Sequence, residues 1–144
     1  MTALSHAQIE AMIPHKGRMC LWDEVIDWDA QRIHLRTHRH RDAAHPLRSD
    51  GRLRAVHLCE YGAQAMAVHG GLRGAAEGGE PKVGYLVALR NVELHVDRID
   101  DLTGALECEA ELVAESVASQ QYTFRVLHAG AVIAEGRAAV MLQA

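Results

Sequence analysis

The residues able to do chemistry are concentrated between His45 and Gln64. Within the stretch LRAVHLCEYGAQAMAVH, His57, Glu60 and Gln64 recur at i, i+3 and i+7, which places them on one face of a helix. Their neighbours are mostly Ala, Leu, Met and Val. An ionised carboxylate in such surroundings is costly unless it is paired or hydrogen-bonded. Two readings of Glu60 follow. In one it has structural partners, and His57 and Gln64 anchor the helix to neighbouring backbone. In the other it sits in a pocket where a raised pKa suits it to acid–base work. Upstream, His45-Pro46 lies shortly before the helix start. The positive end of a helix dipole disfavours the imidazolium, so a histidine there is neutral and can accept a proton. His45 and Glu60 form a base and acid pair if the fold brings them together. The plainer alternative is a surface-loop histidine.

These side chains need a scaffold, and the pattern around them supplies one. Residues 5–13 read as a short helix capped by Ser5 and stopped by Pro14. Residues 19–28 read as a strand, and Asp29-Ala30 as a tight connection to a second strand over 32–40. There Ile33, Leu35 and Thr37 alternate with His34, Arg36, His38 and His40, giving one buried and one wet face. The central helix is expected over about 53–69, capped by Ser49 or Asp50 and ended by Gly70-Gly71. It is apolar almost all round, which marks it as buried. The segment GGLRGAAEGGEPK then reads as a mobile glycine-rich loop. Four strands follow, over 83–96, 105–113, 121–128 and 131–142, the last two joined by Ala129-Gly130. An antiparallel sheet with one polar face must have its apolar face covered. The economical solution is a sheet wrapped around the one buried helix, the α+β arrangement called the hotdog fold, formed as a single domain over 1–144.

Composition narrows the function classes. The chain has 144 residues, about half of them apolar, and only six aromatics, so Ala, Val, Leu and Ile are expected to build most of the core. Cys20, Cys59 and Cys108 are isolated and odd in number, which argues against a disulfide framework or a cysteine zinc site and for small core residues in a reducing cytoplasm. No secretory leader and no apolar run long enough to span a membrane are read. The net charge of −4 is unevenly spread: seven arginines and two acids lie between Arg32 and Arg54, and eight acids with one arginine between Glu93 and Glu115. A basic segment on an acidic protein suits an acidic partner, or is a solvated face of one sign. Nucleic acid is disfavoured by the lack of a motif and of aromatic stacking surface. A zinc site at His34, His38 and His40 is opposed by Arg36 in their midst, and no metal is expected.

Three stretches carry a family resemblance. IPHKGRMCLWDEVIDWD resembles the N-terminal signature of the 3-hydroxyacyl-[acyl-carrier-protein] dehydratases. HLCEYGAQAMA resembles their central helix, in which a catalytic carboxylate precedes an Ala-Gln pair, here Glu60 before Ala63-Gln64. PKVGYLVALRNVELHVDRID resembles the strand that follows it. The likeness runs from about Ile13 to the end, and GRLRAVHLCEYGAQA looks closest to a divergent subgroup linked to aryl-polyene pigment clusters, with Arg54 where that pattern has Pro.

The resemblance implies elimination of water from a 3-hydroxyacyl thioester, giving the trans-2-enoyl thioester in fatty-acid or aryl-polyene-type biosynthesis. It implies His45 as the base that removes the α-proton, Glu60 as the acid that protonates the departing hydroxyl, and a homodimer or a heterodimer with another hotdog subunit. His57 is a second pocket histidine or replaces His45 as base. Gln64, Arg48, Arg52 and Arg54 are the candidate substrate contacts, the arginines meeting an acidic acyl carrier protein and its phosphopantetheine phosphate. No cofactor is required beyond that carrier arm. The sequence departs from the family at the loop, where Ala-Ala-His-Pro-Leu stands for Gly-His-Phe-Pro-Gly. That departure sustains an alternative, a non-catalytic carrier-binding subunit of a heteromeric dehydratase. A hotdog acyl thioesterase is the other.

Overall fold

The structure is a computed structural model that describes residues 3–78 and 84–142. Ser5 caps α1 (His6–Glu10) as expected, Gln8 bonds back to it to complete a capping box, and Leu4–Ser5 also forms a two-residue strand, β1. The hairpin of β2 (Glu24–Trp28) and β3 (Arg32–Thr37) turns at Asp29, whose carboxylate accepts the N–H groups of Gln31 and Arg32. A 3₁₀ turn over Ala55–His57 leads into α2 (Leu58–Ala76). After it come β4 (Gly84–Leu94), β5 (Leu106–Glu115), β6 (Ser119–His128) and β7 (Ala131–Leu142). The seven strands form one antiparallel sheet in the order β1-β2-β3-β5-β6-β7-β4, with α2 packed across it. This is the predicted hotdog arrangement, with β1 as an added edge strand.

One row of residues shows why the helix fits. Ile33, Ala110, Phe124 and Gly136 are successive register partners across β3, β5, β6 and β7. Ala110 and Gly136 leave room beside the buried Phe124 ring, and Gly62 of α2 presses on it from above. A Cβ built on Gly62 would lie 2.6 Å from that ring. The helix therefore approaches the sheet at a position where only glycine fits. The aromatics are few, but Trp22, Tyr61, Tyr122 and Phe124 are among the largest fully buried side chains, so they weigh more in the core than their number suggests. The opposite sheet face carries cross-strand polar pairs, His34 with Glu107, Arg36 with Glu24, and Arg125 with Glu109.

Several sequence expectations need correction. Leu53 and Arg54 are extended rather than helical, because this stretch pairs with the backbone around Asp97–Ile99 while Asp100 accepts the Leu53 N–H. The helix passes through Gly70-Gly71 and ends only at Ala76, followed by Gly78 at φ +71°. Gly71 lies against Met12, so it serves close packing, and helical glycine costs only about 1 kcal/mol against Ala. The expected loop is thus helical over its first part, and residues 79–83 lie outside the described residues. The strand expected from residue 19 begins at Glu24, after a 3₁₀ turn over Gly17–Met19. The strand expected to reach residue 40 stops at Thr37. His40 leaves the wet face in a 3₁₀ turn and is buried, with Nε2 bonded to the Leu102 carbonyl at 2.8 Å. Cys20 and Cys108 are core residues, whereas Cys59 is only half-buried. No helix among the described residues is long and apolar enough to cross a membrane.

Candidate active site

The loop between β3 and α2 is anchored at its start by the half-buried Asp23. Asp23 accepts from the Thr37 hydroxyl, the His38 N–H and the Arg39 guanidinium. Burial alone would push its carboxyl up, but the His38 N–H and the Arg39 cation outweigh burial and hold it below the usual range. Further along, turns at Asp42 and His45 carry the chain toward the helix: the His45 N–H donates to Asp42 and the Arg48 N–H to His45.

His45 points inward and is 5% exposed. Its Nδ1 accepts the Leu47 N–H at 3.2 Å, and its Nε2 lies 2.9 Å from the Tyr61 hydroxyl. The two rings are near-parallel, 6.2 Å apart. Tyr61 is fully buried. Trp22 packs edge-on against its ring and donates Nε1–H to its backbone carbonyl at 2.9 Å. Burial pushes the His45 pKa down and the Tyr61 pKa up, so the first is a neutral imidazole and the second an intact phenol.

Glu60 lies in the first turn of α2, where a carboxylate is favoured by the helix dipole. Its carboxylate is half-exposed and meets His57 Nδ1 at 2.8 Å. His57 and Glu60 are thus brought together, whereas His45 and Glu60 have separate partners within the chain. Gln64, one turn further, faces the core. Its Oε1 accepts the Leu21 N–H and its Nε2 donates to the Met19 carbonyl, so within the chain it takes the anchoring alternative rather than standing free for the substrate contact that the resemblance implies. The shared polar face therefore divides, with Glu60 outward and Gln64 inward. Of the three arginines, Arg48 is tied to the carbonyls of Gly51 and Arg41, while Arg52 and Arg54 are exposed, Arg54 lying 3.9 Å from Asp50. The strand histidines do not converge on a metal position: His34 pairs with Glu107, His40 is buried under Leu102, and His38 is exposed.

Sequence reasoning missed His69 and Tyr61. His69 is fully buried on α2, with Nε2 on the Asp29 carbonyl and Nδ1 on the Tyr122 hydroxyl, each at 2.7 Å. It pins the helix to the first hairpin and to β6. Arg73, one turn on, grips Glu115 through two bonds and pulls that carboxyl down to about 2. The signal for Tyr61 was present: a phenol beside Glu60 on a buried helix must find a polar partner.

The sequence matches the ApeP-like family, described as ApeP dehydratase, over residues 7–144. Among solved structures, the dehydratase heterocomplex ApeI:P from Xenorhabdus doucetiae is similar at TM-score 0.84 and 22% identity, covering 94% of this chain and 91% of that one. AziG from S. sahachiroi is similar at TM-score 0.61 and 15% identity, over 82% of this chain and 88% of that one. A hypothetical thioesterase with coenzyme A from Streptococcus pneumoniae matches at TM-score 0.61 and 11% identity, over 83% and 84%. At these identities the structural likenesses establish the shared fold. No curated protein matches the chain.

Proposed function

The chain belongs to the ApeP-like dehydratase family, and from that premise we propose that it removes water from a 3-hydroxyacyl thioester carried on the phosphopantetheine arm of an acyl carrier protein, as in fatty-acid or aryl-polyene-type biosynthesis. The observation that carries the reading is the accessible His57–Glu60 pair at the N-terminal end of a largely buried helix. Elimination needs a group that takes the C2 proton and a group that returns a proton to the C3 oxygen, and an imidazole bonded to a carboxylate supplies both functions. The positive end of α2 favours the negative charge that develops on the thioester oxygen. This chemistry needs no metal or organic cofactor.

Arg52 and Arg54 lie in the segment just before this end of the helix and are exposed, which suits them to an acidic carrier. A partner subunit of the same fold is supported by β4. It is an edge strand of the sheet and exposes Tyr85, Leu86, Val87, Leu89 and Leu94, a long apolar edge that soluble proteins cover. The solved heterocomplex of a similar chain supports the same assignment.

The test offers the chain, alone and with such a partner, a set of 3-hydroxyacyl-carrier thioesters while enoyl-thioester absorbance and free thiol are followed. Enoyl product without thiol supports the dehydratase. Thiol release makes it a thioesterase. Carrier binding with neither product makes it a non-catalytic subunit, the reading favoured by the buried position of His45.

A further inference from the structure

The two histidines near the start of α2 differ in what their ring nitrogens are free to do. His45 Nδ1 accepts the Leu47 N–H, so the ring hydrogen resides on Nε2, which faces the Tyr61 oxygen. Both nitrogens are committed, and the ring is almost entirely out of solvent. Protonating His45 would set a second N–H against that of Leu47, and burial opposes the charge as well. His45 thus offers no lone pair to a substrate proton.

His57 has the opposite arrangement. Its Nδ1 faces Glu60 Oε2 at 2.8 Å, and its side chain is 27% exposed. With the Nδ1 hydrogen directed to the carboxylate, Nε2 carries the lone pair.

Resting on the dehydratase reading, we propose that His57 is the histidine that moves the proton, that Glu60 orients it, and that His45 is a fixed donor to Tyr61 that shapes the loop. The step balances. His57 Nε2 takes the C2 proton, the C–H electron pair becomes the C2–C3 double bond, and the C3–O bond breaks. The departing oxygen leaves as water with the proton held by the His57 imidazolium, which Glu60 steadies in between. His57 ends neutral, and no other acid is consumed. This division of labour separates the chain from the Gly-His-Phe-Pro-Gly pattern that its loop lacks.

Two measurements test it on the full chain with its partner subunit. The first is the ¹⁵N spectrum of the histidine rings at pH 8. His45 is expected as the Nε2–H tautomer with Nδ1 shifted as a hydrogen-bond acceptor, and His57 as the Nδ1–H tautomer. A free, unprotonated Nε2 on His45 overturns the proposal. The second is turnover by variants. His57→Ala is expected to lose at least about 100-fold, the scale of a missing proton-transfer group. His45→Gln, whose amide can still donate to Tyr61, is expected to stay close to wild type. Glu60→Gln falls between them, since an amide oxygen still accepts from His57 but no longer steadies the cation. A folded His45→Gln that is inactive beside an active His57→Ala overturns the assignment and leaves the dehydratase reading intact. A wild type that converts no 3-hydroxyacyl thioester brings down that reading and this proposal with it.

Discussion

Gly62→Ala should destabilise the fold even though alanine is the better helix former. A Cβ at residue 62 would lie 2.6, 2.9 and 2.9 Å from three atoms of the Phe124 ring. To reach ordinary contact near 3.4 Å the ring would have to retreat by roughly 0.8 Å. The ring is buried between α2 and the Gly136 position of β7, so a retreat of that size must displace packed neighbours. Overpacking of this kind costs about 1–3 kcal/mol, against about 1 kcal/mol gained from helix propensity. The net loss is up to about 2 kcal/mol, a fall in Tm of up to roughly 8 °C for a domain of this size. Gly74→Ala on the same helix is the control, since nothing lies within 4 Å of its Cβ position. It should gain up to about 1 kcal/mol. Paired thermal melts read both, and Gly62→Ala,Phe124→Leu should recover part of the loss. A Tm for Gly62→Ala raised as much as that of Gly74→Ala would refute the claim that this glycine sets the helix-to-sheet distance.

Other perturbations have equally definite outcomes. Burial holds His40, His45 and His69 below the ordinary histidine pKa of 6.5, so the unfolded chain binds protons that the fold refuses. Stability should therefore be flat above about pH 7 and fall as pH drops through 6.5, by up to about 4 kcal/mol per pH unit if all three contribute; urea melts across pH 8 to 5 measure this slope. Arg52→Glu with Arg54→Glu should weaken carrier-protein binding several-fold, and added salt should weaken the wild type in the same direction. Titration calorimetry reads both, and unchanged affinity removes the arginines from the docking surface. Leu86→Lys on β4 should abolish association with a partner subunit while leaving the chain folded, as seen by light scattering and circular dichroism.

The fold was legible because each element carried its own period. The alternation of Ile33, Leu35 and Thr37, the Ser5 cap, and the turn at Ala129-Gly130 are local features, and all reappear in the structure. The helix limits were less legible because they depend on distant partners. Leu53 is held extended by Asp100, and Gly71 stays helical against Met12, contacts that no local window contains. The site shows the same division. The i, i+3 spacing brought His57 to Glu60, since only one turn of backbone separates them. The commitments of His45 and Gln64 could not be read, because Tyr61 is 16 residues from the first and the backbone of Met19 is 45 from the second.

The central claim is that this chain eliminates water from a carrier-bound 3-hydroxyacyl thioester through the His57–Glu60 pair. The most direct measurement is intact-mass spectrometry of a 3-hydroxyacyl carrier protein incubated with the chain and its partner subunit, the partner carrying inactivating substitutions. The account predicts that the acyl carrier loses the mass of one water with wild type and keeps its mass with His57→Ala. An unchanged mass with wild type, while carrier binding persists, would contradict the account and leave the chain as the non-catalytic half of a dehydratase.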